Sequence, residues 1–310
     1  MQIKLENLSQ GELIAVINYI SQMLLAIIVF SNLITIYTRA FTSAKRVKSV
    51  LDVKIDENEG NLEQMYNGNI EMKDVVFSYD SIPLLNNFSI SVNEGEIFGI
   101  IGRAGSGKST ILNLINRSYD IQSGSILIGN KDIKEYNKTF IKDKILLIPQ
   151  KIHFFRETIK ENIILGRENI TDDDIIRALK NANAWEFVSK LPNGINTKLE
   201  NNANNFSGGQ KQRIGIARCF AQNPKILLLD DITSALDKKT EREVFDNIYK
   251  YVKKNKITTI ISSQKLSAFR YADRILVIND GKVEMVGSKE QLEKFSKTYR
   301  EIQNLQLDNK

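Results

Sequence analysis

The sequence predicts an α/β domain organised around a phosphate-binding turn and preceded by one membrane-crossing helix. Three observations carry this. Gly102-Arg103-Ala104-Gly105-Ser106-Gly107-Lys108-Ser109-Thr110 fits the spacing G-x-x-x-x-G-K-[ST]. The short apolar runs 97–101 and 226–229 read as strands buried on both faces. The stretch 13–37 carries no charge and would span roughly 38 Å as a helix.

Composition bounds the answer. The chain has 310 residues, 42% hydrophobic and 26% charged, which excludes a disordered protein. A net charge of +6 is mild, and no dense Lys/Arg tract is interleaved with aromatics, so no nucleic-acid partner is implied. A single cysteine, Cys219, excludes an intramolecular disulfide and fits a reducing compartment. A single histidine, His153, excludes a multi-histidine metal site.

In chain order, residues 1–12 are polar and 13–37 form the apolar stretch. It is too long for a signal peptide and lacks a small-residue cleavage site. Asn18, Ser21, Gln22 and Asn32 dot it, so one face is expected to look at other helices or a cavity. Lys4, Glu6 and Glu12 precede it, and Arg39, Lys45, Arg46 and Lys48 follow, which puts the C-terminal side in the cytoplasm. The helix is expected to continue to residue 51. Residues 52–69, polar and rich in Glu and Asn, read as a link.

The second domain spans 70–310. Residues 75–77 and 88–92 read as strands, and Asn93-Glu94-Gly95 turns the chain into the strand 97–101. A helix follows the glycines through 111–115. Residues 125–128 and 144–148 are further strands, the latter ending at Pro149-Gln150. From about 158 to 221 the pattern is helical, with Asp172-Asp173-Asp174 at one helix start and Ile175, Ile176 and Leu179 on one face. Strands return at 226–229, 259–262 and 274–279, the last followed by the turn Asp280-Gly281. Strands therefore enclose a helical insert.

The chemistry of the glycine turn follows from its context. Without Cβ atoms, Gly105 and Gly107 let the backbone curl and bring N–H groups to phosphate oxygens. The helix N-terminus adds partial positive charge and unpaired donors. Lys108 supplies a full charge, and the Ser109 hydroxyl is placed for Mg²⁺. Asp230, at the end of the strand 226–229, stands where P-loop NTPases hold Mg²⁺ through water.

Phe206-Ser207-Gly208-Gly209-Gln210-Lys211-Gln212-Arg213 resembles the signature of ATP-binding cassette (ABC) proteins, usually written LSGGQ, and it precedes the Asp230 strand as in that family. Tyr79 is similar to the aromatic that stacks on adenine. Gln150 is similar to the glutamine joining the core to the helical subdomain, and Ser234-Ala235-Leu236-Asp237 resembles the D-loop. The resemblance covers about residues 70–300. It implies a P-loop NTPase cassette with a RecA-like core, an antiparallel β-subdomain and a helical subdomain. It further implies ATP and Mg²⁺ as cofactors. Tyr79, the run from Gly102 to Thr110, and Ser207, Gly208, Gly209 and Gln210 would contact nucleotide. Ser109, Gln150 and Asp230 would hold the metal, and Asp231, Gln150 and Gln264 would serve catalysis.

The finer resemblance is to ABC exporters with fused membrane helices. Gly11-Glu12-Leu13-Ile14-Ala15 resembles the start of their sixth membrane helix, and Ser43-Ala44-Lys45-Arg46-Val47 its cytoplasmic end. Residues 155–163 are similar to the exporter form of the segment after the glutamine. On that reading five helices belong on the N-terminal side, outside this chain, and the chain is a fragment, a truncated product or a late-started gene. It would work at the cell membrane with its nucleotide domain in the cytoplasm, as one half of a head-to-tail dimer. Each ATP would be held by one P-loop and the other cassette's signature.

Departures from the pattern carry information. The family has Glu directly after the Mg²⁺ aspartate, where this chain has Asp231. The switch histidine is Gln264 here. Glutamine can donate a hydrogen bond but cannot become cationic. Phe206 replaces the usual Leu, Ala104 a common Thr, and the glycines usually flanking a Glu near Glu200 are absent. An intact P-loop with two altered turnover residues is expected of a weak site in a heterodimer whose partner keeps Glu and His. The alternative is a membrane-tethered ATP-binding regulator that does not transport; a soluble cassette of DNA repair or translation is disfavoured by the apolar helix.

Overall fold

The computed structural model describes residues 10–52, 60–80, 82–200 and 203–307. Lys4 and Glu6 of the N-terminal flank, residues 53–59 of the expected link, and Asn201 and Asn202 beside Glu200 lie outside the described residues. The chain divides into two units, 1–57 and 58–310.

The first unit is one helix, α1 (Gln10–Leu51), 42 residues long, which takes in both the apolar stretch and its basic continuation. Among the described residues it is the one helix long and apolar enough to cross a membrane, with a mean hydropathy of 2.3 over its best window. Its large apolar side chains are exposed. The hydroxyls of Ser21, Thr35, Thr38 and Thr42 donate to the carbonyl four residues back, at 2.9, 3.3, 2.7 and 2.8 Å. That satisfies polar groups within the helix, as an apolar solvent demands.

The second unit begins within the stretch read as a link. Leu62 N donates to Glu135 O at 3.0 Å, and Asn137 N donates to Leu62 O at 3.1 Å. Polar composition without periodicity does not reveal this edge pairing. The chain then runs β1 (Ile70–Phe77), β2 (Leu85–Val92) and β3 (Ile97–Gly102), then α2 (Lys108–Ile115), β4 (Ser123–Ile128) and the short β5 (Lys131–Asp132). It continues with α3 (Lys138–Lys144) and β6 (Ile145–Ile148). The helical insert comprises α4 (Ile159–Ile164), α5 (Asp172–Asn181), α6 (Trp185–Val188) and α7 (Gly208–Gln222). The expected helical stretch 158–221 is therefore present. β7 (Ile226–Asp230), α8 (Lys238–Asn255), β8 (Thr258–Ser263), β9 (Arg274–Asn279), β10 (Lys282–Gly287), α9 (Lys289–Phe295) and α10 (Lys297–Leu307) complete the unit.

Two sheets result. One is antiparallel, in the order β2-β1-β4-β5. The other has the order β10-β9-β3-β8-β7-β6 and is parallel throughout except for the β9–β10 hairpin. The strand with the glycine turn, β3, lies inside this sheet with all six residues buried, as its apolar run demands. The α2 residues Ile111, Leu112, Leu114 and Ile115 join a core between the two sheets, and the insert helices pack on the opposite face. Helix starts carry local signals. Thr158, Thr171, Ser207 and Ser288 each form a capping box with the residue three positions on.

Buried Arg218 of α7 ties the insert to the loop after Gln150. It donates from Nε to Asn162 O at 2.9 Å and from Nη2 to His153 O at 3.0 Å. Burial pushes its pKa down to about 10. The His153 side chain itself is exposed.

Candidate functional site

The carboxyl ends of β3, β7 and β8 and the N-terminus of α2 converge on a cleft of about 300 Å³. It is lined by Ala104, Gly105, Gly107, Lys108, Ser109, Thr110, Gln150, Asp230, Asp231 and Gln264, together with Leu84, Ser262 and Ser263. Sequence residues separated by more than a hundred positions thus meet in one place.

Two glycines are required by geometry. A Cβ on Gly102 would meet Ile278 O at 2.3 Å, so β3 can leave the sheet here only without a side chain. Gly107 has φ 99 and begins α2 in the left-handed region. Among the described residues no side chain caps this helix N-terminus. Lys108 Nζ donates to Gly102 O at 2.9 Å and Arg103 O at 2.7 Å, which holds the ammonium under the loop. Burial lowers its pKa, and the nearby carboxylates of Asp230 and Asp231 partly offset this. Among the described residues, the hydroxyls of Ser106 and Ser262 are buried without a partner.

These observations test the fit to a magnesium nucleotide. An uncapped helix N-terminus, a buried ammonium and the Ser262 hydroxyl on the cleft lining are donors suited to a polyphosphate. Ser109, Asp230 and Gln150 offer a hydroxyl, a carboxylate and an amide oxygen, a hard-oxygen set that suits Mg²⁺. The residues fit the group.

Asp231 is held closely. Its φ is 44, and its amide donates to Ser262 O at 2.8 Å. Ser263 Oγ donates to Oδ1 at 2.9 Å, and Gln150 Nε2 donates to Oδ2 at 3.3 Å. Sequence reading did not single out Ser262 and Ser263. The switch from Thr-Thr-Ile-Ile to Ser-Ser at the end of β8 is the signal that could have found them.

Tyr79 stands beside α2, its hydroxyl 3.2 Å from Thr110 Oγ1. Its ring meets Phe77 and Tyr119 edge-on, with centroids 4.9 and 5.1 Å away. Arg103 is exposed and ion-paired to Glu301 at 2.8 Å.

The signature residues are not brought to this cleft. Ser207, Gly208 and Gly209 line a second one, with Arg213, Ala235, Leu236, Asp237 and Thr240. Gln210 closes the capping box of α7, accepting from Ser207 N at 2.9 Å, while Ser207 Oγ accepts from Gln210 N at 3.3 Å. Buried Gln212 braces the D-loop, donating to Ser234 Oγ at 2.9 Å and accepting from Ala235 N at 3.0 Å.

Known proteins share this sequence pattern and fold. Residues 85–234 match the ABC transporter family. An ABC transporter ATP-binding protein of Bacillus subtilis, YfiB, is 40% identical over 96% of this chain and 52% of its own length. An ATP-dependent lipid A-core flippase of Desulfotalea psychrophila is 38% identical over 86% of this chain and 47% of its length. A solved bacterial Atm1-family ABC exporter with ATP bound superposes with a TM-score of 0.79 and 31% identity, covering 87% of this chain and 47% of that one. The chain spans about half the length of these relatives. Its fold is the ABC cassette, preceded by one helix of membrane-crossing length.

Proposed function

We propose that the chain, whose residues 85–234 match the ABC transporter family, is the ATP-binding and ATP-hydrolysing part of an exporter that works with a second cassette. The observation that supports this most is the separation of its two clefts. The P-loop cleft and the signature cleft have no lining residue in common. Each offers half of what would enclose a nucleotide. A partner placed head to tail would complete both.

In this reading α1 crosses the membrane, residues 52–69 connect it to the cassette, and residues 70–310 work in the cytoplasm. Bound MgATP supplies the phosphoanhydride that is cleaved. The backbone of residues 102–107 and Lys108 bind the phosphates, and Tyr79 and the run through Thr110 position the nucleotide. Ser109, Gln150 and Asp230 hold Mg²⁺. Asp231 orients the attacking water and takes its proton, and Gln264 donates a hydrogen bond toward the terminal phosphate. Asp231 is one methylene shorter than Glu, and displacement near 1 Å costs about 100-fold. Turnover at this P-loop is therefore slow. The signature, by contrast, is intact from Ser207 to Gln210 and can complete a competent site on a partner with Glu and His. The pair is a heterodimer.

Export is supported by the relatives, among them a flippase and an exporter. Tagging the C-terminus in the host, solubilising the membranes and weighing the tagged chain with what copurifies tests this. A second cassette protein in the complex is expected. The chain alone, with ATP bound and no cassette partner, would instead mean a tethered ATP-binding module.

A further inference from the structure

The C-terminal helix α10 touches both loops that border the phosphate cleft. Glu301 Oε2 accepts from Arg103 Nη2 of the glycine turn at 2.8 Å. Farther along, Gln306 bridges the Gln264 loop. Its Oε1 accepts from Leu266 N at 3.1 Å, and its Nε2 donates to Gln264 O at 2.7 Å. One side chain thus fixes the peptide groups on either side of Lys265, and with them the direction in which Gln264 leaves the backbone.

The base of α10 is firm. Tyr299 is 1% exposed. Ser296 Oγ donates to Glu284 Oε1 at 2.7 Å, and Thr298 N donates to the same oxygen at 3.3 Å, which anchors the helix start to β10. Lys265 is held on its other side by Glu241 of α8, 3.2 Å from Nζ. The loop therefore has two supports, one from α8 and one from α10.

We propose that Gln306 is a positioning residue for Gln264, and that α10, through Gln306 and Glu301, couples the Gln264 loop to the glycine turn. The inference deepens the ATPase reading, because it takes Gln264 to face the terminal phosphate. A single helix end then governs how two phosphate-facing segments sit relative to each other.

Hydrogen exchange on the full chain in lipid nanodiscs, without nucleotide, tests the geometry independently of activity. In Gln306→Ala the amides of 264–266 should exchange about tenfold faster, with β8 and the melting temperature unchanged. Gln306→Glu keeps the acceptor for Leu266 but loses the donor to Gln264, and should fall between. Glu301→Gln should loosen residues 103–106 and, because α10 joins the two segments, also raise exchange at 264–266 by about twofold, less than Gln306→Ala does. In hydrolysis, Gln306→Ala should lower kcat with nucleotide affinity within about twofold, and should add nothing in a Gln264→Ala background. Unchanged exchange at 264–266, a rise spread evenly over the unit, or additive effects with Gln264→Ala would overturn the proposal. A wild-type chain that binds no nucleotide would sink the ATPase reading, while the exchange pattern would still decide the role of Gln306.

Discussion

At the phosphate cleft α2 begins at Gly107 with no side chain capping it, whereas at the signature cleft α7 begins at Ser207 inside a capping box. Both are helix N-termini opened by glycines, and both suit an anion. The first is left incomplete. It has a buried ammonium and, on its lining, the Ser262 hydroxyl, which has no partner among the described residues. The second is self-supporting, with Ser207 and Gln210 satisfying each other and Gln212 bracing the D-loop. A cleft whose lining hydroxyl lacks a partner gains order from a ligand, while one whose first helical turn is braced by its own capping box presents a more fixed surface to whatever docks. The altered residues, Asp231 and Gln264, both lie in the first.

Three changes probe that contrast, in descending size. Lys108→Ala should weaken ATP binding by about 100-fold, measured by nucleotide titration, since it removes a charge-assisted contact to phosphate. Gly209→Val acts on the second cleft alone. Its new Cβ would stand 3.1 Å from Ala235 O and push the D-loop off α7. Hydrolysis in the paired complex should drop about tenfold, with this chain's own ATP affinity within about twofold. Equal losses in both readouts would erase the distinction between the clefts.

The smallest effect is one of pH. The protonated form of Lys108 attracts phosphate, and burial lowers its pKa, offset in part by Asp230 and Asp231. The ammonium is thus lost at lower pH than in free lysine, and binding a polyanion takes the proton back up. ATP affinity should fall by about a few-fold as titrations move from neutral pH toward the ordinary lysine pKa. A flat profile would contradict this account of the cleft.

Much of this was legible in the sequence because it is local. The glycine turn, the strand before it, the Asp230 strand and the signature announce themselves in runs of four to nine residues. What was missed depends on tertiary contact or was hidden by a motif. The α8 residues Val244, Phe245, Ile248 and Val252 are buried at helical spacing, and Asp237 caps the helix through Lys239 N and Thr240 N. Reading Ser234-Ala235-Leu236-Asp237 as a D-loop concealed that cap. β10 is a half-exposed edge strand without clean alternation. The hydrogen bonds from Ser263 and Gln150 to Asp231 join positions 32 and 81 residues from it, and no local pattern encodes them.

On the proposed reading, this P-loop site binds ATP and, through Asp231 and Gln264, turns it over slowly. Vanadate trapping of a photoreactive ATP in the purified complex reads hydrolysis chain by chain. The wild-type chain should trap little label, and Asp231→Glu combined with Gln264→His should raise label on this chain by about tenfold or more. Label on the wild-type chain equal to that on its partner, or no gain from the double substitution, would contradict it.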